Sequence, residues 1–237
     1  MTNSSVSQLN ADALNKKNQK GTDNKFEIVD GWFCGLTHKS KSKSKSKSKT
    51  SASNFEENKL DPQANFMTRC PSPHFSPKED GADVTLLVVH NISLPPNKFG
   101  GDYITDFFLG NLDKDVHPYF ETIHEMKVSA HCLIKRDGSL VQYVSFLDKA
   151  WHAGVSKYKG RDKCNDFSIG IELEGADDIL YTEQQYQTLA VACFSIQQEY
   201  PQIKNNIAGH NQIAPGRKTD PGEAFDWEYF YTCLQQV

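Results

Sequence analysis

The sequence lacks the apolar segments that direct a protein to a membrane or anchor it there. Residues 1–25 are polar and contain no apolar core of about 7–15 residues with a cleavage site after it, so they do not predict a secretory signal. No uninterrupted apolar run in the chain approaches the ~20 residues that a transmembrane helix needs. We therefore expect a soluble, cytoplasmic protein without a membrane partner.

Cysteine pairs with metal-site or redox spacing are also missing. The chain has six cysteines and no CxxC pair among them. Cys132 and Cys193 fall in apolar patterns that are typical of a strand and a helix. Because disulfides are rare in cytosolic proteins, we expect reduced thiols, with a disulfide framework as the alternative.

Basic residues are scarce in the C-terminal part of the chain. Residues 71–237 hold 14 Lys and Arg against 23 Asp and Glu, a net charge of −9. Residues 1–70 hold 12 against 7, a net charge of +5. Because phosphate binding needs Lys and Arg, the acidic region argues against nucleic acid as a required partner.

The length of 237 residues predicts one domain with additional polar segments. Residues 1–25 are expected to form a disordered tail, and the apolar stretch 26–36 an N-terminal piece of the domain. Residues 37–69 form a low-complexity insertion in which Lys and Ser alternate from 39 to 49. We interpret it as a solvated linker, with a tether for polyanions as the alternative, and place the main domain at 70–237.

A segment near the C-terminus, residues 209–222, concentrates side chains that can perform chemistry. It contains His210, Lys218 and Asp220 between Pro and Gly breakers, and it is predicted to be a loop. A catalytic zinc site takes three protein ligands and keeps a fourth position open, and His210 and Asp220 are two candidate ligands. The alternative is an ordinary hydrogen-bonded pair.

Two apolar stretches supply the residues that such a site still lacks. Residues 85–90 have the pattern of a strand buried on both faces, and that strand ends at His90, a candidate third ligand. The alternative for His90 is a histidine that caps the strand. Residues 167–174 alternate as a second strand, which places Glu172 among apolar neighbours. A carboxylate there is costly unless it is paired or functional, so Glu172 is the candidate general base.

Five separate segments resemble the AmpD-type N-acetylmuramoyl-L-alanine amidases, which are grouped with phage lysozyme amidases and peptidoglycan-recognition proteins. The resemblance covers the chain from about residue 71 to its end, and Gly31-Trp32 is similar to the family's N-terminal piece. The segments are TLLVVHNISLPP (85–96), VSAHCLI (128–134), AWHAG (150–154), CNDFSIGIELEG (164–175) and residues 209–222.

The resemblance implies a zinc hydrolase that cleaves the amide between N-acetylmuramic acid and L-alanine. In the AmpD branch the substrate is the 1,6-anhydro form, which is recycled in the bacterial cytoplasm. By motif position, His90, His210 and Asp220 match the family's zinc ligands. Glu172 matches its proton acceptor, and Lys218 matches its transition-state stabiliser.

Four further residues are candidates for binding a muropeptide: Asn91, Lys127, Trp151 and Lys163. Trp151 offers a flat surface for a sugar, although core packing is the alternative. The family often has arginine at the positions of Lys127 and Lys163, and arginine grips carboxylates in a bidentate way that lysine cannot. We expect the muropeptide to be the only required partner of a monomeric enzyme.

Two other classes of function compete with a zinc amidase. A binding module of the peptidoglycan-recognition type would share the fold but would lack either the Asp220 ligand or the base, and this chain has both. A cysteine hydrolase would need Cys132 and His131 to face each other. Neighbours on a strand point to opposite faces, so this pair is rejected.

The remaining patterns predict a single α/β domain with a central mixed sheet flanked by helices, and with the zinc site at strand ends and loops. A short helix is expected at Tyr103–Leu109, and a hairpin is expected to join strands at 128–134 and 140–144. Thr182 opens a long amphipathic helix with a capping box, and a last helix starts near Asp226. His117 and His124 are expected to be surface or capping residues.

Deleting residues 39–59 is expected to leave zinc content, cleavage of soluble muropeptide and thermal stability essentially unchanged. The segment has almost no large apolar residue beyond Phe55, so it has little to bury in a core. Shortening a loop also saves little closure entropy, about 0.6 kcal/mol for each halving of its length. Melting curves and turnover at two salt concentrations test this. A clear fall in melting temperature, or turnover lost at both salts, would show that the segment is ordered against the domain.

Overall fold

The computed structural model describes residues 24–38, 66–79 and 81–237. They form an α/β domain around a six-stranded sheet with the order β12-β5-β11-β6-β7-β3, which confirms the predicted fold class. Neighbouring strands of this sheet are parallel except for the antiparallel pair β6–β7, so the sheet is mixed. Within the described ranges, no helix has both the length and the apolar character needed to cross a bilayer.

The strands come mostly in consecutive runs, with helices between the runs and at the C-terminal end. The strands are β1 (Asn24–Val29), β2 (Trp32–His38), β3 (Met67–Arg69), β4 (Phe75–Pro77), β5 (Leu86–Ile92), β6 (Cys132–Ile134), β7 (Leu140–Gln142), β8 (Asp148–Ala150), β9 (Lys157–Tyr158), β10 (Arg161–Asp162), β11 (Ser168–Glu174) and β12 (Ile207–Gly209). The α-helices are α1 (Tyr103–Leu109), α2 (Pro118–Ile123), α3 (Glu183–Glu199), α4 (His210–Ile213) and α5 (Trp227–Gln236), and 3-10 helices span Cys164–Asp166 and Pro201–Asn205.

Helices α3 and α5 cover one face of the sheet. They pack on the alternate residues Ile169, Ile171 and Leu173 of β11, together with Leu87 and Val89 of β5. The predicted capping box at the start of α3 is present, and α1 has the predicted bounds. Burial of these apolar side chains supplies the main driving force for the fold.

The other face of the two central strands is less uniform, because it carries the candidate site. Leu86 and Val88 of β5 pack there against loops and α4, which leaves His90 next on the same face. Helices α1 and α2 cover the neighbouring part of this face with a separate apolar cluster. The face under α3 and α5 is therefore uniformly apolar, whereas the opposite face carries polar site residues such as His90 beside its apolar clusters.

The predicted hairpin at 128–144 is confirmed, but its strands are shorter than expected. β6 and β7 pair antiparallel over three residues each. The amides of Tyr143 and Val144 both donate to the carbonyl of His131, at 2.8 and 3.4 Å, and this doubled contact interrupts the regular ladder. Cys132 packs in the core cluster beneath α3, whereas the ring of His131 lies 5.8 Å from that of His152.

The N-terminal piece forms a hairpin of β1 and β2 that packs into the main core. Phe26 and Phe33 are only 3 and 4% exposed. The amide of Phe33 donates to the side chain of Gln142, at 2.8 Å. Residues 1–23 of the predicted tail and 39–65 of the Lys/Ser insertion lie outside the described residues, whereas Asn24 and Lys25 of the predicted tail begin β1. The range 37–69 nevertheless includes, at its C-terminal end, strand β3 of the central sheet.

Candidate active site

Three neighbouring parallel strands bring the candidate residues to one edge of the sheet. Glu172 of β11 lies in register with His90 of β5. Gly209 of β12 lies in register with Val89, so the chain reaches His210 beside His90. Carboxyl ends of parallel strands are the usual place for a ligand site in α/β sheets. The strand register therefore places His90, Glu172 and the start of the segment at His210 at the same edge.

Three ligand atoms converge at this edge. The Nδ1 atoms of His90 and His210 are 3.0 Å apart. Asp220 Oδ2 lies 3.1 Å from Nδ1 of His90 and 3.0 Å from Nδ1 of His210. Tetrahedral coordination with bonds of about 2.0–2.1 Å would separate two ligand atoms by about 3.3 Å, close to these distances. The three residues form a group that can hold a metal ion.

The hydrogen bonds of His210 indicate that its Nδ1 is ready to coordinate. Its Nε2 lies 3.2 Å from the carbonyl oxygen of Ala153, which can only accept. A proton on Nε2 satisfies this acceptor and leaves the lone pair of Nδ1 facing His90 and Asp220. For His90, burial lowers the pKa to about 4 against the opposing effect of Asp220, so this ring is neutral at physiological pH.

Asp220 reaches the two histidines because its loop folds back on α4. This loop was predicted to be irregular throughout, but residues His210–Ile213 form one helical turn. The side chain of Gln212 accepts a hydrogen bond from Gly209 N at 2.8 Å and so stabilises the start of that turn. The amide of Asn211 then donates to the carbonyl of Asp220 at 2.9 Å and holds the return of the chain.

Glu172 and Glu174 share one face of β11 but have different surroundings. Glu174 accepts hydrogen bonds from the amides of Gly100, at 2.5 Å, and Arg136, at 2.9 Å, so it fastens two loops. Glu172 is only 9% exposed, and its Oε2 has no hydrogen-bond partner in the described structure. Burial, with a further contribution from Asp220, raises the pKa of Glu172 well above its ordinary value, and Lys218 opposes the rise. A buried carboxylate oxygen without a partner is costly, and it marks Glu172 as available to a reactant.

A cavity of about 690 Å³ opens in front of these groups. Glu172, His210, Lys218 and Asp220 are among the residues that line it. Apolar side chains also contribute to the lining: Leu94, Phe107, Phe108, Ile123, Met126 and Val128. Lys218 is exposed, and its ammonium makes no hydrogen bond or ion pair with any described residue. It can therefore turn toward a bound molecule.

The structure separates the four candidate substrate-binding residues into two pairs. Asn91 and Trp151 line the cavity, whereas Lys127 and Lys163 do not. The side-chain nitrogen of Asn91 donates to Asp177 Oδ1 at 2.8 Å and to Pro221 O at 3.1 Å, which also supports the neighbouring Asp220. Lys127 and Lys163 are exposed outside the lining, and a role for them stays a prediction.

Trp151 is held at the cavity wall by a hydrogen bond and a ring contact. Its indole nitrogen donates to Ser76 Oγ at 3.1 Å. Its ring lies parallel to that of His74, with ring centres 6.2 Å apart. Trp151 is partly exposed and lines the cavity.

Two residues around the site were missed by sequence analysis. His152 is half-buried and lines the cavity, with Nδ1 2.9 Å from Nε2 of His90. Arg217 lines the cavity and donates to the carbonyls of Ala153, at 2.6 Å, and Val155, at 2.7 Å. His152 was visible as the histidine of the AWHAG segment, but only the adjacent Trp151 was assigned a role. No local pattern indicated Arg217.

Several histidines and cysteines outside the three-residue metal group cap helices, bind main-chain amides or lie in the core. The side chain of His117 caps α2 by accepting from Tyr119 N at 3.1 Å, as predicted for a capping histidine. His131 Nδ1 accepts from Gly170 N at 3.0 Å. Cys132 lies in the core, where burial raises the pKa of its thiol well above the ordinary value. All six cysteines are free thiols, and this burial argues against Cys132 as a nucleophile.

Comparison with known sequences decides the family. The sequence model of the N-acetylmuramoyl-L-alanine amidases matches residues 80–223, which contain the three ligand candidates, Glu172 and Lys218. The chain belongs to the N-acetylmuramoyl-L-alanine amidase family.

Individual relatives support this assignment over most of their length. The amidase is 58% identical over 168 residues to the 1,6-anhydro-N-acetylmuramyl-L-alanine amidase AmpD of Escherichia coli, covering 71% of this chain and 92% of that protein. It is 51% identical over 179 residues to AmpD of Haemophilus influenzae, covering 74% and 97%. A crystal structure of an AmpD derivative is similar in fold, with a TM-score of 0.70 and 56% identity over 71% of this chain and 94% of that one.

Proposed function

We propose that this amidase hydrolyses the amide between 1,6-anhydro-N-acetylmuramic acid and L-alanine, with a zinc ion held by His90, His210 and Asp220. The observation that carries the proposal is the convergence of three ligand atoms within 3.0–3.1 Å of one another beside the unpartnered Oε2 of Glu172. The anhydro form is proposed because the AmpD relatives carry it in their names.

Two imidazoles and one carboxylate suit Zn²⁺ and leave a coordination position open for a reactant. When bound, zinc supplies Lewis acidity, which polarises an amide carbonyl and lowers the pKa of water from ~16 toward ~7. Because the bound ion is cationic, it also favours the ionised form of Glu172. The fit to the donor set is the reason that we propose zinc as the cofactor.

The protein's own residues then complete the hydrolysis. Glu172 takes the proton from the attacking water and delivers it to the departing amine of L-alanine. Lys218 donates to the oxygen that becomes negative in the tetrahedral intermediate, an effect often worth ~3–4 kcal/mol. Trp151 presents its ring face to the sugar, and Asn91 lies at the cavity wall nearby. The two carry the proposed substrate contacts within the cavity.

We extend the proposal to the cellular role that the resemblance implied. Anhydro-muropeptides are fragments of peptidoglycan, and removal of their peptides in the cytoplasm returns both parts for reuse. The proposed enzyme acts there as a monomer on a small soluble substrate. Fractionation of cells that produce the full chain, followed by immunodetection, tests the location, and recovery outside the cytoplasmic fraction contradicts it.

The decisive test is incubation of the purified protein with soluble anhydro-muropeptide and with intact sacculi, each with and without a chelator. We expect free peptide with an L-alanine N-terminus from the anhydro-muropeptide, and loss of this product with chelator. Mass spectrometry identifies the cleaved bond. Cleavage that persists at full rate after the metal is removed contradicts zinc catalysis, and preferential release from sacculi contradicts the substrate.

Lys218→Ala is expected to lower turnover more than it weakens substrate binding. The reason is that the oxyanion exists only on the way to product, so its stabilisation is absent from the ground state. We expect kcat to fall by roughly 10²–10³-fold, as for the loss of one oxyanion donor. Steady-state kinetics on soluble muropeptide measure both constants. Lys204→Ala removes a lysine outside the cavity lining and serves as the control.

The opposite kinetic pattern would change the assignment of Lys218. A raised KM with unchanged kcat would make this lysine a clamp on the ground-state substrate. Such a result would leave the metal group and Glu172 in their proposed roles.

A further inference from the structure

A half-buried histidine that the proposed mechanism does not use lies directly behind a proposed metal ligand. His152 Nδ1 is 2.9 Å from Nε2 of His90, on the side of the ring opposite to Asp220. The other nitrogen of His152, Nε2, is 3.1 Å from Ser168 Oγ. That hydroxyl is in turn 2.6 Å from the carbonyl oxygen of Cys164. Four groups thus form one continuous hydrogen-bonded chain that ends in the site.

The last member of this chain fixes the direction of every hydrogen bond in it. A carbonyl can only accept, so the hydroxyl of Ser168 donates to Cys164 and its oxygen accepts from His152 Nε2. The neutral ring of His152 then has no proton on Nδ1, which accepts from Nε2 of His90. The remaining nitrogen of His90, Nδ1, carries no proton and faces the metal group.

The packing around His152 shows that the protein is shaped to hold this ring. A Cβ atom at Gly170 would lie 2.5 Å from the Cγ and Nδ1 atoms of His152, so β11 has no side chain where the imidazole lies. The main chain of the same loop is fastened by Asn165, whose Oδ1 accepts from the amides of His152 and Ala153 at 3.2 and 2.8 Å.

The same loop also orients the second histidine of the group. The carbonyl of Ala153 accepts from Nε2 of His210, as described above, at 3.2 Å. Consecutive residues of one loop therefore hold the outer nitrogens of both imidazoles. With both Nδ1 atoms free of protons and a carboxylate oxygen 3.0–3.1 Å away, three acceptors face each other with no hydrogen between them. A cation between them relieves this repulsion.

We propose that His152 and Ser168 are positioning residues: they fix the tautomer of His90 so that its Nδ1 is preformed as a metal ligand before the metal arrives. This proposal rests on the metal group of the proposed function and adds the residues that set its affinity. Partners of this kind raise the affinity of a metal site because the ligand pays no cost of reorientation or tautomer change on binding.

Ser168→Ala tests the hydrogen-bonded chain with little change in shape, because it removes a single oxygen atom from β11. His152 then has no acceptor for its Nε2 proton. The proton position on His152, and with it that on His90, is no longer fixed. His152→Ala removes the partner of His90 altogether. We expect zinc affinity to fall by about 10–100-fold in His152→Ala and by a smaller factor in Ser168→Ala. His152→Asn returns an acceptor oxygen at the position of Nδ1 and is expected to recover part of the loss.

The matched control is Ser195→Ala in helix α3. Ser195 is also buried, donates to the carbonyl four residues earlier, at 2.7 Å, and accepts from an amide, at 2.8 Å. It lies outside the site, so its loss is expected to leave zinc affinity unchanged. Competition with a chromogenic chelator measures the affinity of the full-length protein after metal removal, and a melting curve of each metal-free variant verifies folding.

The nitrogen chemical shifts of the imidazoles test the mechanism without relying on activity. In ¹⁵N-labelled, metal-free protein we expect His90 to carry its proton on Nε2 in the wild type and in Ser195→Ala. Ser168→Ala is expected to show His90 partly protonated on Nδ1. A wild-type His90 with its proton on Nδ1 overturns the proposal, as does zinc affinity that is unchanged in both Ser168→Ala and His152→Ala.

These outcomes separate this inference from the proposed function. Wild-type protein that binds no zinc overturns the metal site itself. If the wild type binds zinc and the variants bind it equally well, the positioning role of His152 and Ser168 is rejected and the metal site is retained. If His152→Ala does not fold, the decision rests on Ser168→Ala, which changes only one atom.

Discussion

Glu172→Gln is expected to keep the fold and the bound zinc while turnover falls by at least ~10²-fold, the usual scale for loss of general acid–base catalysis. The amide of glutamine has nearly the shape of the carboxylate but cannot accept the proton of water. The wild-type side chain lies in register with His90 and has a free buried oxygen, so the substitution removes no hydrogen bond that holds the fold. Turnover of soluble muropeptide and zinc content per chain are the two measurements.

Glu174→Gln is the matched control for this experiment. The two glutamates share one face of β11, but Glu174 uses both oxygens to accept from main-chain amides. Its substitution is expected to lower the melting temperature and to leave turnover within a few-fold of the wild type. If Glu172→Gln kept near-normal turnover with metal bound, Glu172 would not be the base.

Asp220→Ala is expected to remove zinc and turnover together. It deletes the only anionic donor of the three-residue group and leaves two imidazoles, which is too few protein ligands for a catalytic zinc site. Metal analysis of the purified variant by mass spectrometry, alongside turnover, measures both losses. Added zinc at high concentration is expected to restore part of the activity if the remaining ligands still bind weakly.

Asp178→Ala controls for the loss of a negative charge in the same cavity. Asp178 is an exposed residue of the cavity lining and is not one of the three ligand candidates. This variant is expected to retain one zinc per chain. Stoichiometric zinc in Asp220→Ala would show that the assignment of Asp220 as a ligand is wrong.

Sequence reasoning predicted the elements whose patterns are local. The apolar run that ends at His90 and the alternating strand of Glu172 are both present, and their register explains why the two residues are neighbours. The capping box at Thr182 and the short helix at Tyr103–Leu109 are also confirmed. Each of these depends on spacing within a few residues, which the sequence shows directly.

The support around the site depends on contacts between distant segments, and no local pattern reveals those. Period-2 alternation puts Gly170 on the same face of its strand as Glu172, but the reason for a glycine there is the ring of His152, which belongs to another segment. Arg217 is similar, because its partners are carbonyls more than sixty residues earlier in the chain. Lys127 and Lys163 were chosen by motif position, and the folded loops carry both outside the cavity lining.

The N-terminal hairpin has a practical consequence for anyone who prepares a shorter form of the protein. The family model matches residues 80–223. Four phenylalanines of the main core lie outside that range and are at most 4% exposed: Phe26, Phe33, Phe225 and Phe230. Each buried phenylalanine contributes about 1.5–3 kcal/mol, and a whole domain is stable by only about 5–15 kcal/mol. A fragment trimmed to the matched region would therefore lose a large share of its stability. The unit that folds is longer than the region that the family model matches.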